Sequence, residues 1–301
     1  MSAEGATVPR AEWRSYYGRP VLKPPVWKPE IPFYLFTGGL GGASAGLALL
    51  ADARGNEELG RRAWAVALGG VGASPVLLIS DLGMSSRFFN MLRLFKVTSP
   101  MSVGSWLLLA SGAATTVAAA DAWTAAVPVP FGRVAKAVSA ALGLPLATYT
   151  AALLSNTAVP VWHEARGLLP FVFAASAAAS AGAAAVLACP PEAAAPARRL
   201  AVGAAIATTA GVVAMERRLG ELGEPYRTGA AGTLKRAALA LTASGAGLIA
   251  GRGSRRPAAA AGGALLLAGA VCERWSIFRA GFQSAADPQY TVDPQRERLE
   301  R

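Results

Sequence analysis

Hydrophobic positions in this chain come in long runs rather than in alternation with polar ones. Eight runs, near residues 32–52, 62–82, 102–123, 134–157, 167–188, 198–216, 232–251 and 258–278, each approach the roughly 20 residues that a helix needs to cross a hydrocarbon core. Short breaks rich in proline, glycine and charge separate them, such as Asp52–Arg62, Pro128–Arg133, Pro190–Arg199 and Gly251–Pro257. Lys235 and Arg236 interrupt the start of the seventh run. The pattern predicts an all-α polytopic membrane protein with eight transmembrane helices in two four-helix bundles. Residues 31–165 would form the first bundle and 166–280 an alanine-rich second one, between a polar amino-terminal arm (1–30) and a polar tail (281–301).

Within the first run, Gly38, Gly42 and Gly46 recur at four-residue spacing, a stripe of small residues that lets a neighbouring backbone approach closely. The polar break at 83–101 has a second pattern. Phe88, Phe89, Leu92 and Phe95 fall at helical spacing among Arg87, Asn90, Arg93 and Lys96, so Gly83 to Val97 predicts a short amphipathic helix at the membrane surface. A plain basic interfacial loop is the competing reading. Ser99-Pro100 would end that helix, and Ser102 would cap the next span. The arm holds Pro9, Pro20, Pro24, Pro25 and Pro29 and no apolar core, so it is not a signal peptide. Its Trp13, Tyr16, Tyr17 and Trp27 suit an extended segment that docks on a neighbour; a disordered tail accounts for the same composition.

Composition supports the membrane class. Of the 301 residues 53% are hydrophobic and 16% charged, against about 25% charged in a typical soluble domain. The net charge of +11 is scattered between apolar runs rather than gathered on one stripe, which points to membrane lipid and an acidic partner face and not to nucleic acid. With eight spans both termini share a side, which carries 19 of the Lys and Arg residues against 10 opposite, so the positive-inside rule puts the termini in the cytoplasm. That bias comes wholly from the two tails. Cys189 and Cys272 make no metal or iron–sulfur set and read best as buried free thiols. His163 is the only histidine, so the paired ligands of a membrane b-type haem are missing.

Three stretches carry a resemblance. Asp81 to Trp106 reads DLGMSSRFFNMLRLFKVTSPMSVGSW, Pro32 to Leu40 reads PFYLFTGGL, and Gly143 to Trp162 reads GLPLATYTAALLSNTAVPVW. Together they resemble the NrfD/PsrC family, the membrane subunits of molybdopterin oxidoreductase complexes. The likeness is specific over residues 27 to 173 and fades to hydropathy and helix count beyond. It implies a subunit with no redox centre of its own that binds a quinone, menaquinone being the first candidate, in the first bundle. It also implies an iron–sulfur partner on the terminal face and a molybdopterin enzyme as third subunit.

Tyr149, in the Tyr-Thr pair, resembles the family's quinone-contacting tyrosine; a packed core tyrosine would occupy the same position. Asp81 and Arg87 would bracket the mouth of the site and pass protons, or would merely pair with each other to fix the loop. Glu30, Tyr34, Asn156 and His163 are further candidates near the same face. Tyr149 is expected to be the deepest titratable group, and spans five to eight to hold no carboxylate at depth. Two other classes are possible. A small-molecule or ion transporter would need ionisable groups near mid-span, and a purely structural anchor would bind no quinone.

Overall fold

The computed structural model describes residues 20–124 and 126–299. Eight long helices dominate: α1 (Glu30–Ala53), α2 (Glu57–Asp81), α4 (Pro100–Trp123), α5 (Val129–Ser155), α7 (Leu169–Ala188), α8 (Ala195–Leu219), α9 (Gly229–Arg252) and α10 (Arg256–Ala286). Three short ones, α3 (Phe88–Met91), α6 (Pro160–Glu164) and α11 (Gln289–Leu299), lie between or after them. No strand occurs among the described residues. Seven of the long helices are long and apolar enough to cross a membrane. α9 is the exception, because Lys235 and Arg236 stand in its second turn. The chain is an all-α, multi-pass membrane protein, and the eighth expected span is a long helix of lower apolarity.

The helices pack in two rings. α1 lies against α2, α2 against α4, α4 against α5 and α5 against α1; α7, α8, α9 and α10 close a second ring in the same order. α7 joins the rings by packing on α1 and α5, and α10 also reaches α1. Because lipid gives no hydrophobic drive between helices, these contacts depend on close backbone approach. Gly41 meets α2, where an added Cβ would lie 2.7 Å from the Val71 nitrogen, and Gly42 meets Gly143 of α5 backbone to backbone. Gly46 has nothing within 4 Å. The expected stripe therefore works at Gly42 and not at Gly46, while Gly41, one residue off it, makes the second crossing.

Both ends of the described chain meet on one face. Trp27, before α1, stacks on Trp162 of α6 at 5.5 Å, and Trp162 packs against Phe278 and Phe282 of α10 and donates its Nε1–H to the Ile277 carbonyl at 2.8 Å. Tyr290 of α11 donates to Glu224 at 3.1 Å on the same face. We call this the terminal face. Residues 1–19 of the arm, with Trp13, Tyr16 and Tyr17, lie outside the described residues.

The stretch at 83–101 departs from the expected helix. A 3₁₀ turn at Ser85–Arg87 leads into the single turn of α3, and the remainder is loop. Ser102 explains the difference: its hydroxyl accepts the Lys96 N–H at 3.0 Å and donates to the Leu94 carbonyl at 3.0 Å, taking two groups that a longer helix would need. The cap of α4 is accordingly Ser99, which accepts the Ser102 N–H at 3.3 Å, and not Ser102 itself. Both cysteines are free thiols, Cys189 buried and Cys272 only half-buried.

Candidate functional site

The first cluster is built on α1, α4 and α5 beneath the terminal face. Glu30 and Tyr34 stand one turn apart on α1, so they share a stripe. Tyr34 is buried, and one carboxylate oxygen of Glu30 is buried without a hydrogen-bond partner. Tyr149 comes from the last third of α5 and lies within electrostatic reach of Tyr34. Its ring passes directly over Gly104 of α4, where an added Cβ would fall on the phenol carbon and oxygen. From the helix rise, Tyr34 lies about 6 Å and Tyr149 about 9 Å below the ends of their helices on this face. Tyr34 thus has Glu30 one turn above it on α1 and Tyr149 within reach on α5. Thr37 and Ser74, bonded hydroxyl to hydroxyl at 3.0 Å between α1 and α2, continue the polar stripe one turn deeper.

The other four candidates lie apart from that trio. Asp81 ends α2 and accepts the backbone N–H of Lys28 at 2.8 Å, which ties the approach to α1 onto α2. Arg87 is exposed in the 3₁₀ turn, and no ion pair joins it to Asp81 among the described residues. Asp81 braces a backbone, then, but not through Arg87. Asn156 is the exposed residue after α5, so the helix stops before it can share a face with Tyr149. His163 is exposed on α6, with Nδ1 at 3.2 Å from the Ser155 carbonyl, and lines a surface groove with Thr157 and Gln295. Around Arg87 the loop presents Phe89, Leu94, Phe95 and Val97, each more than half exposed, beside Arg93 and Lys96. No group of three or more His, Cys, Asp or Glu that could hold a metal occurs among the described residues.

The deepest charges are elsewhere, against expectation. Glu273 and Arg274 of α10 are buried, 8% and 2% exposed, and paired at 2.9 Å. The Arg274 guanidinium also donates to the Phe173 carbonyl of α7 at 3.2 Å and lies 3.7 Å over the Phe173 ring. Nearby, Lys235 of α9 sits 2.7 Å and 2.8 Å from the two carboxylate oxygens of Glu216 on α8. Spans five to eight therefore do contain a carboxylate at depth, and Tyr149 is not the most buried titratable group. The signal was present: Glu273-Arg274 is followed by Trp275, Ile277, Phe278 and Phe282, which carry the apolar pattern on, so α10 runs to Ala286 and its pair lies inside.

On the opposite face, Asp52 and Asp121 are more than helix-end residues. Both bind Lys136 of α5, at 3.1 and 2.9 Å, and Asp52 also accepts the Trp64 Nε1–H at 3.0 Å. One lysine thus clamps α1, α4 and α5, with α2 held through Trp64.

Comparison with known proteins bears on the family. No curated protein matches the chain. The family described as polysulphide reductase, NrfD, matches residues 21–217, from the approach to α1 to the last turn of α8, and leaves α9 and α10 outside. With well over half of its length matched, and with the apolar helices that such a membrane subunit needs, the chain belongs to the polysulphide reductase NrfD family.

Proposed function

We propose that this chain is the quinone-interacting membrane subunit of an oxidoreductase complex, passing electrons between a quinone and a partner that carries iron–sulfur clusters, with a molybdopterin enzyme as the third component. The observation that carries this reading is the meeting of Tyr149, Tyr34 and Glu30 a turn or two beneath a face that also exposes an aromatic, basic loop. A quinone when bound supplies the electron chemistry, and each reduction or oxidation exchanges protons at its two oxygens. The residues present fit that headgroup. The Tyr149 hydroxyl is a neutral donor that tolerates burial, and the unpartnered Glu30 oxygen is an acceptor for a quinol hydroxyl. Tyr34 packs beneath, and Asp81 keeps the Lys28 segment closed over the end of α1. The loop with Phe89, Phe95, Arg93 and Lys96 would receive the partner.

A transporter has one observation in its favour, the buried Glu273–Arg274 pair. The space beside that pair leaves only ≈ 20 Å³ to water-sized centres, which weighs against a small-molecule substrate.

Quinone binding to the purified complex tests the proposal. Tyr149→Phe removes one hydrogen bond, worth roughly 0.5–1.5 kcal/mol, so affinity should fall by up to about tenfold with the complex intact. Asp81→Asn keeps an acceptor for Lys28 and should preserve assembly; slowed quinone turnover in it would add a proton-passing role to the bracing one. Wild-type affinity in Tyr149→Phe would remove the quinone from this site.

A further inference from the structure

The second ring encloses a small, mostly apolar space with several polar groups on its wall, which quinone binding does not use. Between α8, α9 and α10 lies a space in which water centres can occupy ≈ 20 Å³, enough for one or two molecules. It is lined by Tyr226, Lys235, Glu273 and the hydroxyl-bearing Thr208, Thr242 and Ser276. Tyr226 is 1% exposed, and its hydroxyl has no hydrogen-bond partner. A buried hydroxyl left unpaired costs about 1–3 kcal/mol, and a water in this space could relieve it by bonding to the Tyr226 hydroxyl and the charged groups on the wall. Glu216 lies outside that lining and holds Lys235, which belongs to it.

We propose that this space is a proton-exchange chamber reached from the terminal face, in which Glu273 takes up and releases the proton, water and Tyr226 conduct it, and the Glu216–Lys235 pair forms the mouth. The charges facing Glu273 decide which group titrates. Arg274 stays protonated under all working conditions. Lys235 is held by both oxygens of Glu216 at the rim. Tyr226, on the segment between α8 and α9, acts as a neutral relay. From α7 the Ser176 hydroxyl lies within hydrogen-bond reach of the Glu273 carboxyl. Of these groups Glu273 is the one whose proton can change with a partial substitute left for its partner, at the cost of leaving Arg274 a buried cation without its anion. When it gains a proton, Arg274 keeps the Phe173 carbonyl and the face of its ring. The proton moves from bulk water to a carboxylate oxygen and back, so no other reactant is needed. Towards the opposite face α9 and α10 close on each other at Gly245 and Gly262, where a Cβ on Gly245 would lie 2.7 Å from the Gly262 carbonyl oxygen, while on the α8–α9 side Thr209 and Thr242 also border an open apolar groove. The inference does not depend on quinone binding, since Tyr149 is no part of the chamber, whose Tyr226, Lys235 and Glu273 also lie beyond the residues matched by the family.

Infrared titration of the full-length protein in lipid nanodiscs tests it, with deuterated buffer as the probe. A protonated-carboxyl band should grow as pH falls, shift on deuteration and vanish in Glu273→Gln. Glu273→Asp should keep the band at a moved frequency, which covers the case of a glutamine variant that does not fold. Tyr226→Phe should retain the band but slow its deuterium exchange by about tenfold or more, the rate equivalent of one lost relay bond. Absence of any Glu273 band wherever the protein stays folded, which would mean a permanently ionised pair, overturns the proposal. So does exchange in Tyr226→Phe as fast as in the wild type.

Discussion

Gly104→Ala separates the geometry of the candidate quinone site from its chemistry. An alanine Cβ at this position falls on the phenol end of Tyr149, so the ring has to leave its place. Inserting a methyl group into a packed contact costs about 1–3 kcal/mol. Replacing glycine inside α4 gives back about 1 kcal/mol of helix propensity. The net cost in stability is therefore about 0–2 kcal/mol, a variant that folds. Its quinone affinity should nonetheless fall as far as that of Tyr149→Phe, up to about tenfold, because the displaced hydroxyl no longer points into the site. Quinone-analogue titration of the two single variants and the double variant makes a cycle. If alanine acts only by moving Tyr149, the double variant is no weaker than Gly104→Ala alone. Two results would refute the reasoning: wild-type affinity in Gly104→Ala beside a weakened Tyr149→Phe, or losses that simply add.

Lys136→Met leaves Asp52 and Asp121 facing each other without a cation; with these groups about a fifth exposed, the usual cost of breaking a buried pair shrinks to about 1–3 kcal/mol. A lowered Tm in detergent checks it, and an unchanged one contradicts the clamp. Gly143→Ala should destabilise by pushing α5 off Gly42, whereas Gly46→Ala, with open space around it, should be neutral or stabilising by up to about 1 kcal/mol; equal Tm shifts would contradict the crossing. On the terminal face, burial and then the neighbouring Glu224 raise the Tyr290 phenol above its ordinary value. Its bond to Glu224 is therefore fully present below the ordinary phenol range, about pH 10, and is lost as pH rises through the raised value. Amide exchange in α11 should accelerate there, and Tyr290→Phe should abolish that step.

Run length made the helices legible, because a hydrocarbon core imposes nearly the same length on every span. The same rule explains the doubtful one: Lys235 and Arg236 lower the apolarity of α9 in sequence and in structure alike. Side-chain competition for the backbone was not legible. Phe88, Phe89, Leu92 and Phe95 do have helical spacing, yet Ser102 lies beyond that window and takes two of the backbone groups involved. At the candidate site, Glu30 and Tyr34 could be placed together from their four-residue spacing on one helix. That Tyr149 joins them depends on Gly42 and Gly143 letting α1 and α5 touch, a contact between residues about a hundred apart in the chain. Asn156 lies just past the end of α5 at Ser155, a boundary that run length does not fix.

Residues 39 to 42 of α1 bring helices of both rings against one segment. Gly41 faces α2 and Gly42 faces α5, while a Cβ on Gly39 would lie 3.2 Å from Ala177 of α7 and 3.8 Å from the Arg274 guanidinium. A helix with side chains at these positions could not touch three neighbours so closely. α1 also carries Tyr34, five residues from Gly39, or about 7.5 Å along the axis. The tyrosine that packs beneath the candidate quinone site and the arginine that holds Glu273 are thus referred to the same rigid segment. A change in the charge of Glu273 alters the pull on Arg274, and that guanidinium is bonded to α7 and lies against α1. Coupling between the chamber and the tyrosine site needs no further element than this seam. It would be carried by the glycines rather than by a chain of titratable groups, because packed helices without side chains between them can only move together.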